Sequence, residues 1–248
     1  MRFLVDLAAD VGRRIPVRLV KGAYWDSEIK WAQEQGLESY PVFTRKSHSD
    51  VSYLAAAQAA LVAGEKIYAQ FATHNAHTLA SVLHYAGSRR DYEFQRLHGM
   101  GEELYAEVVD AEKFGRPCRV YAPVGSHEDL LPYLVRRLLE NGANTSFVNR
   151  MADAEIPVEE MTSDPVAELA ATEPKRNPAI PIPADIFGNR TNSAGVDLAD
   201  PLVLAPLQAQ LAQIADKRWY AGPTFPAKEA GEEAPINAPQ DLTHEVGT

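Results

Sequence analysis

Cysteine is almost absent from this sequence, since Cys118 is the single one among 248 residues. One cysteine cannot form an intramolecular disulfide, and it excludes a metal site built from several cysteines. The sequence also lacks the run of about 18 apolar residues that a membrane-spanning helix needs. Its start, MRFLVDLAADVGRR, is too charged and too short in apolar residues for a secretory signal. We therefore expect a cytoplasmic protein.

Basic residues are scarce in the second part of the chain. Residues 1–150 carry 18 acidic and 18 basic side chains, whereas residues 151–248 carry 16 acidic and 6 basic ones and 12 of the 17 prolines. Without a basic stripe we expect this chain to bind no nucleic acid. The contrast predicts a compact first part followed by an acidic, proline-rich tail of helical and extended segments. We expect residues 221–248, which lack apolar periodicity, to have no regular structure of their own.

Short apolar segments alternate with helical segments along residues 1–150. The strand candidates are IPVRLVKGAYW, KIYAQFATHN, EFQRLHGMG and CRVYAPVG. This alternation predicts an α/β fold with a parallel sheet and right-handed crossovers. The glycine fingerprint of dinucleotide-binding sheets is missing, because HGMGEEL matches it only in part. An open doubly wound sheet and a (β/α)8 barrel both fit this order of elements.

Polar residues stand at the end of each predicted strand. In chain order they are Lys21, Tyr24, Thr73, His74, Asn75, His98 and Tyr121. In a barrel these ends form one rim, and that rim carries the active site, so we favour a barrel. Four βα units are visible, whereas a whole barrel takes about 250 residues. We therefore expect the second half of a distorted (β/α)8 barrel of the TIM type.

The stretch LPYLVRRLLENG, residues 131–142, places two arginines in a leucine-rich helix. At about 100° per residue, one narrow stripe holds Tyr133, Arg136, Arg137 and Glu140, and the leucines take the opposite side. One interpretation is a solvated polar face in which Glu140 pairs with the arginines. The other is an apolar back that packs within the protein and a front that presents two guanidinium groups.

Arg18 lies within the apolar strand candidate VRLVKGAYW. A parallel strand is buried on both faces, so a charge inside it needs a partner. We expect Arg18 to point into the barrel lumen, toward the rim, where it could donate a hydrogen bond to an anionic or electron-rich ligand. A salt bridge within the barrel is the alternative.

Several further donors follow the strands. Thr44, Arg45 and Lys46 in VFTRKSHSD suit phosphate oxygens, although an ordinary polar loop fits them as well. His74 and His77 are three residues apart, but no carboxylate cluster accompanies them, so we expect no metal site. His74 is a candidate ligand contact at a strand end.

Helix boundaries can be predicted at three places. Thr73 or Asn75 is expected to cap the helix that follows it, and Ser126 with Asp129 resembles a capping box. The segment SDVSYLAAAQAALVAG predicts a helix that opens at its hydroxyl and acidic residues and stops at Gly64.

Five ordered motifs resemble one known family. RLVKGAYWD, FATHN, LHGMGE, RVYAPVG and YLVRRLLENGANTSFVNR are similar to the proline dehydrogenase domain of bifunctional bacterial flavoenzymes called proline utilisation A. IPIPADIFGNRTNSAGVDL resembles the linker and N-terminal arm of their second domain, an aldehyde dehydrogenase that acts on glutamate semialdehyde. The resemblance implies a distorted (β/α)8 barrel over residues 1–173 that binds FAD, and an incomplete second domain over residues 174–248.

The resemblance also implies roles for residues that match the family's substrate site. Arg136 and Arg137 match the arginine pair that binds the carboxylate of proline, and Glu140 would orient that pair or reach the cofactor. We count Tyr24 as a further residue of the catalytic site. The residues that match those enclosing the pyrrolidine ring are Tyr133, Tyr121 and Leu97.

Other matches concern the cofactor. Arg18 matches the arginine near flavin N5. The residues that match contacts with the isoalloxazine ring are Lys21, Gly22, Ala23, Tyr24 and Trp25. Those that match contacts with the ribityl, phosphate or adenosine parts are Thr44, Lys46, Thr73, His74, Asn75 and Ser146.

The implied reaction transfers a hydride from C5 of L-proline to flavin N5 and gives 1-pyrroline-5-carboxylate, the first step of proline catabolism to glutamate. A membrane quinone would receive the electrons, which places the protein in the cytoplasm or at the inner face of the membrane. NAD would serve only the missing second domain, and the full-length protein could form a homo-oligomer. We expect this chain to be a fragment that does not hold FAD stably alone.

Two other functions stay open on the sequence. One is a non-catalytic truncated chain or interaction module without stable flavin binding. The other is a phosphate-binding barrel lyase, which would need Lys21 as a Schiff-base lysine, although the glycine and aromatic neighbours of Lys21 suit a flat ring better.

Overall fold

The computed structural model describes residues 1–142, 157, 163–215, 217–222 and 231–248, with the backbone alone for residues 138–142. These residues form two compact units. The first comprises Met1–Trp31 and Tyr40–Ile182, and the second comprises Ala32–Ser39 and Pro183–Thr248. None of the helices in these ranges is both long and apolar enough to cross a membrane.

Helices and strands alternate along the first 142 residues. The elements are α1 Arg2–Asp10, β1 Ile15–Leu19, α2 Trp25–Gln35, α3 Lys46–Val62, β2 Ile67–Ala72, α4 Ala76–Ala86, β3 Glu93–Leu97, α5 Glu102–Val109, β4 Cys118–Tyr121 and α6 His127–Gly142, followed by α7 Pro165–Ala171. The four strands form one sheet in the order β1-β2-β3-β4, and all pairs are parallel. The predicted α/β fold with a parallel sheet is confirmed, and its strand order is that of consecutive units of a barrel.

One face of this sheet packs against helices and holds the hydrophobic core. Ile67, Phe71 and Phe94 are fully buried there together with residues of α3 and α4. Edge-to-face ring contacts join Phe71, Tyr92 and Phe94 at centroid distances of 5.7 Å, which adds to the burial of apolar area. Cys118 begins β4 and packs partly buried against this core.

The other face of the sheet is polar, because side chains alternate between the two faces of a strand. The parallel register places Arg18 beside Gln70, Gln70 beside Glu93, and Gln95 beside Arg119. In a barrel this face would be the lumen, so the sheet carries its charged residues where a barrel carries its site.

Two of the predicted helix starts are confirmed. The Asn75 side chain accepts a hydrogen bond from the Thr78 N–H at 2.9 Å and caps α4. Ser126 Oγ accepts from the Asp129 N–H at 3.3 Å and donates to its carboxylate at 2.9 Å, as in a capping box.

The predicted start of the third helix is wrong, since α3 begins at Lys46 and not at Ser49. Lys46 and Asp50 form an i,i+4 ion pair of 2.6 Å in its first turn, which favours helix one turn earlier than the hydroxyl and acidic residues indicated. Residues 36–45 separate α2 from α3.

The expectation of a packed apolar back on α6 is not met among the described residues. Leu131, Leu134 and Val135 are 60%, 49% and 45% exposed. The contacts of α6 described below come from its polar stripe instead.

The second unit contains a helix and a hairpin. A 3-10 turn, Pro183–Asp185, precedes α8, Pro201–Ile214, which the Asp200 side chain caps. Strands β5, Ile236–Ala238, and β6, Asp241–Gly247, pair antiparallel, so the expectation of no regular structure over residues 221–248 is wrong there. Backbone hydrogen bonds from Trp219 N–H to Val246 O and from Thr248 N–H to Trp219 O stabilise the hairpin, a partner that local periodicity cannot reveal.

Candidate active site

The carboxyl ends of the four strands lie side by side. Leu97 at the end of β3 pairs in register with Tyr121 at the end of β4. His74, just after β2, accepts a hydrogen bond at Nε2 from the Leu97 N–H at 3.1 Å. Three neighbouring strands thus bring predicted site residues together at one edge of the sheet.

Arg18 lies on the polar face and extends toward β3 and β4. Its Nε–H donates to Gln95 Oε1 at 2.9 Å, and its guanidinium carbon lies 4.5 Å from the centroid of the Tyr121 ring. The partners are a neutral amide and an aromatic ring. Arg18 therefore does not use a carboxylate in these contacts, in contrast to the salt-bridge alternative.

Glu93 is the centre of a hydrogen-bond network that sequence reasoning missed. Its carboxylate is 4% exposed and accepts from Gln70 Nε2 and Gln95 Nε2, both at 2.8 Å. Arg119 donates to both of its oxygens at 2.8 and 3.0 Å. These hydrogen bonds, the one from Arg119 first, lower the pKa of Glu93 to about 2 against the opposing effect of burial. The signal was present in EFQRL, where Glu93 and Gln95 on one face of the strand stand in place of the apolar residues expected of a parallel strand.

Lys21 and Lys46 meet at one carboxylate. Lys21 Nζ lies 2.5 Å from Asp50 Oδ1 and 2.9 Å from Thr78 Oγ1, and Lys46 Nζ lies 2.6 Å from Asp50 Oδ2. Burial lowers the pKa of Lys21, although Asp50 opposes it. Burial would raise the pKa of Asp50, but the two lysines hold it below its usual value. To act as a Schiff-base nucleophile, Lys21 would have to give up its ion pair with Asp50.

A tight turn follows β1. Gly22 and Tyr24 both have positive φ angles, +80° and +59°, and a tyrosine in this region costs about 1–2 kcal/mol. Tyr24 is 63% exposed, and the Trp25 indole N–H donates to the Phe43 carbonyl at 2.8 Å. Ala23 lies between Gly22 and Tyr24 in this turn. Such local strain is a common property of functional sites.

Arg136, on the polar stripe of α6, lies near the turn that follows β1. The guanidinium carbon of Arg136 lies 5.8 Å from the centroid of the Tyr24 ring, and that of Arg137 lies 5.4 Å from that of Tyr133. Burial lowers the pKa of His74, and the positive charge of Arg137 lowers it further. Arg136 thus reaches a residue that follows β1, whereas the described ring contact of Arg137 is with Tyr133 on its own helix.

Of the remaining predicted residues, Thr73 has a local hydrogen bond, Thr44 has one with a residue distant in the chain, and two lie outside the described part. Thr73 Oγ1 accepts from the Asn75 N–H at 3.1 Å, and Thr44 Oγ1 accepts from the Asn177 N–H at 2.9 Å. The side chain of Glu140 and all of Ser146 lie outside the described residues. The same ranges contain no group of three or more His, Cys, Asp or Glu side chains that could hold a metal ion.

Known proteins match this chain over most of its length. Residues 1–150 match the family model described as proline dehydrogenase. The bifunctional protein PutA of Salmonella typhimurium is 54% identical over 259 residues, which covers 99% of this chain and 20% of that protein. PutA of Rhizobium meliloti is 52% identical over 253 residues, which covers 99% of this chain and 21% of that protein.

Solved structures give the same result. A crystal structure of proline utilization A from Bradyrhizobium japonicum has a TM-score of 0.78 and 48% identity, over 86% of this chain and 22% of that one. The Bdellovibrio bacteriovorus protein, inactivated by N-propargylglycine, has a TM-score of 0.79 and 31% identity over 99% of this chain and 25% of that one. The chain therefore spans about a fifth of the length of the curated relatives above.

Proposed function

Because this chain belongs to the proline dehydrogenase family, we propose that it contributes the carboxylate clamp and part of the flavin-facing surface to an enzyme that oxidises L-proline to 1-pyrroline-5-carboxylate. The observation that carries this proposal is the orientation of α6. Arg136 lies over the Tyr24 ring beyond the end of β1, and the positive charge of the adjacent Arg137 lowers the pKa of His74 after β2. Two guanidinium groups side by side can bind both oxygens of one carboxylate.

The residues around this clamp suit a small amino acid. Tyr121 and Leu97 stand in register at the ends of β4 and β3, and Tyr133 lies beside Arg137 on α6. We assign these three apolar and aromatic side chains to the pyrrolidine ring. Bound between them and the clamp, proline would be held in one orientation, which is the main requirement of a hydride transfer.

The donors present also fit FAD. Lys46 offers a cationic group for its phosphates, and Lys21 with the exposed Tyr24 ring in its strained turn lies where the isoalloxazine ring is expected. Arg18 provides a guanidinium that no carboxylate engages in its described contacts. When bound, FAD would supply the acceptor for the hydride that proline loses at C5. The roles of Gly22, Ala23, Trp25, Thr44, Thr73, His74, Asn75 and Ser146 toward it are part of this proposal.

Further proposals rest on the family alone. A membrane quinone would take the electrons, and the protein would work in the cytoplasm or at the inner face of the membrane. Residues 174–248 would be the linker and N-terminal arm of an aldehyde dehydrogenase domain. The Salmonella relative is named bifunctional, which supports this reading of the second segment.

Anaerobic reduction of bound flavin tests the proposal. The complete gene product is purified, and its flavin absorbance is followed after addition of L-proline or of pyrrolidine, which has the same ring without the carboxylate. We expect proline to bleach the flavin at concentrations at which pyrrolidine does not. Absence of flavin, or equal bleaching by both compounds, would refute the proposal and favour the non-catalytic alternative.

A further inference from the structure

We propose that Gln95 and Glu93 are positioning residues for Arg18: the Gln95 amide holds the guanidinium in place, and the Glu93 carboxylate fixes the orientation of that amide. The relevance of this arrangement to a flavin rests on the proposed function. The arrangement itself is a property of this chain's own residues, and it can be tested without any cofactor.

Arg18 and Gln95 are in direct contact. Arginine Nε carries one hydrogen, and that of Arg18 donates to Gln95 Oε1 at 2.9 Å. Gln95 is 5% exposed. It lies on the same face of the sheet as Arg18, on β3, two strands away from β1. The Tyr121 ring lies 4.5 Å from the guanidinium carbon. Residues of β3 and β4 thus contact Arg18 from two sides.

Glu93 determines the direction of the Gln95 amide. An amide group can rotate by half a turn and exchange its oxygen and nitrogen. In the observed orientation Gln95 Nε2 donates to Glu93 Oε1 at 2.8 Å. Rotation would put two oxygens against each other there and would present N–H to the Arg18 N–H. The negative charge of Glu93 therefore selects the one orientation in which Gln95 accepts from Arg18.

Glu93 is itself held in a fixed position. Its carboxylate also accepts from Gln70 Nε2 at 2.8 Å, from Arg119 at 2.8 and 3.0 Å, and from the Tyr68 hydroxyl at 3.3 Å. Donors on β2, β3 and β4 thus surround one buried carboxylate. A buried charge with this many hydrogen bonds is held rigidly, and its loss would leave several donors unpaired.

The chemical consequence lies in the charge of Arg18. A carboxylate in direct contact would neutralise the guanidinium and compete with any electron-rich ligand. A neutral amide fixes the guanidinium without cancelling its charge. The polar face thus contains a positive charge in a fixed position. The negative charge of Glu93 acts on it only through the Gln95 amide that lies between them.

Exchange of the Arg18 Nε–H with water tests this arrangement in the full 248-residue chain without flavin. In Gln95→Leu, NMR should show exchange at least about tenfold faster, because its acceptor is lost. Gln70→Leu is the matched control: Gln70 donates to the same Glu93 oxygen at the same 2.8 Å, but it does not hold Arg18. We expect exchange within about twofold of wild type in this control.

A second variant protects the test from a folding defect. Glu93→Gln keeps the volume of the side chain and frees the Gln95 amide to rotate, so we expect faster exchange there too. Unchanged exchange in Gln95→Leu, or in Glu93→Gln if the first variant does not fold, would overturn the inference. An equal increase in Gln70→Leu would overturn it as well.

The flavin-loaded gene product tests the consequence. Gln95→Leu should retain its flavin, lower kcat for proline by about tenfold and change KM by less than about twofold, because a misplaced group affects the transition state more than binding. The flavin potential should fall, since a less ordered cation stabilises reduced flavin less. Gln70→Leu should leave both kcat and the flavin potential unchanged. A wild-type protein without flavin would refute the proposed function while the exchange result stands, whereas unchanged kcat and potential would overturn the positioning role toward flavin.

Discussion

His74 Nε2 accepts a hydrogen bond from the backbone N–H of Leu97, 3.1 Å away, and thereby joins the ends of strands β2 and β3. An acceptor nitrogen carries no proton, so His74 is neutral in this arrangement. Burial first, and then the charges of Arg137 and Arg96, lower its pKa below the ordinary value of 6.5. The contact between the strand ends is therefore sensitive to pH.

This relationship predicts a loss of stability in mild acid. The folded-state pKa of His74 is lowered, so below about pH 6.5 the unfolded chain binds more protons than the folded one, and stability rises with pH through that window. The free energy of unfolding should fall as the pH drops from about 6.5, and the fall should end once the pH is below the folded-state pKa of His74. Urea unfolding between about pH 5 and pH 7.5 measures it.

A pair of variants isolates the effect. His74→Gln should flatten the pH dependence in this window because glutamine does not titrate. The control is His127→Gln, at an exposed position at the start of α6, which should leave the slope as it is. Equal slopes in wild type and His74→Gln would contradict the prediction.

Asp50→Asn should destabilise the first unit. It removes the carboxylate that pairs with Lys21, whose side chain is only 21% exposed, and leaves a partly buried ammonium with the Thr78 hydroxyl and the Tyr53 ring. We expect a loss of about 2 kcal/mol in the free energy of unfolding, somewhat less than for a fully buried pair. Lys46→Met breaks the ion pair between Lys46 and Asp50, in which the lysine side chain is 61% exposed. Its loss should cost less than about 1 kcal/mol in the free energy of unfolding. Equal losses would show that burial does not decide the effect.

Asn75 allows its structural role to be separated from a cofactor role. Asn75→Ala removes the cap of α4 and should cost about 1 kcal/mol. Asn75→Asp keeps a capping oxygen, so stability should be retained, but it adds a negative charge where the proposal puts the anionic cofactor. Flavin affinity should then fall by about tenfold. Thermal unfolding and flavin titration measure the two effects, and an unchanged affinity in Asn75→Asp would refute the cofactor role.

The sequence was informative where the structure depends on neighbours in the chain. The caps at Asn75 and Ser126 involve partners three residues away, and the alternation of apolar strands with helices arises within short windows. Both were predicted. The start of α3 was misjudged because an ion pair between Lys46 and Asp50 extended the helix.

The interactions that organise the candidate site depend on distant partners. Arg18 and Gln95 are 77 residues apart, and Lys21 and Asp50 are 29 apart. Periodicity shows that Arg18 needs a partner but not which residue provides it. The Glu93 network likewise becomes visible only when the register of three strands is known. The exposed apolar back of α6 shows the same limit, since a leucine-rich face indicates a tendency to pack but not what it packs against.

The central claim is that the α6 arginines bind the substrate carboxylate, and the proline KM of Arg137→Met in the flavin-loaded gene product tests it most directly. We predict a rise of about a hundredfold with unchanged flavin content, because the carboxylate then loses one of its two guanidinium partners. Arg89→Met, which breaks the ion pair with Asp91 after α4, should leave KM within about twofold. A KM in Arg137→Met equal to that of wild type would contradict the account.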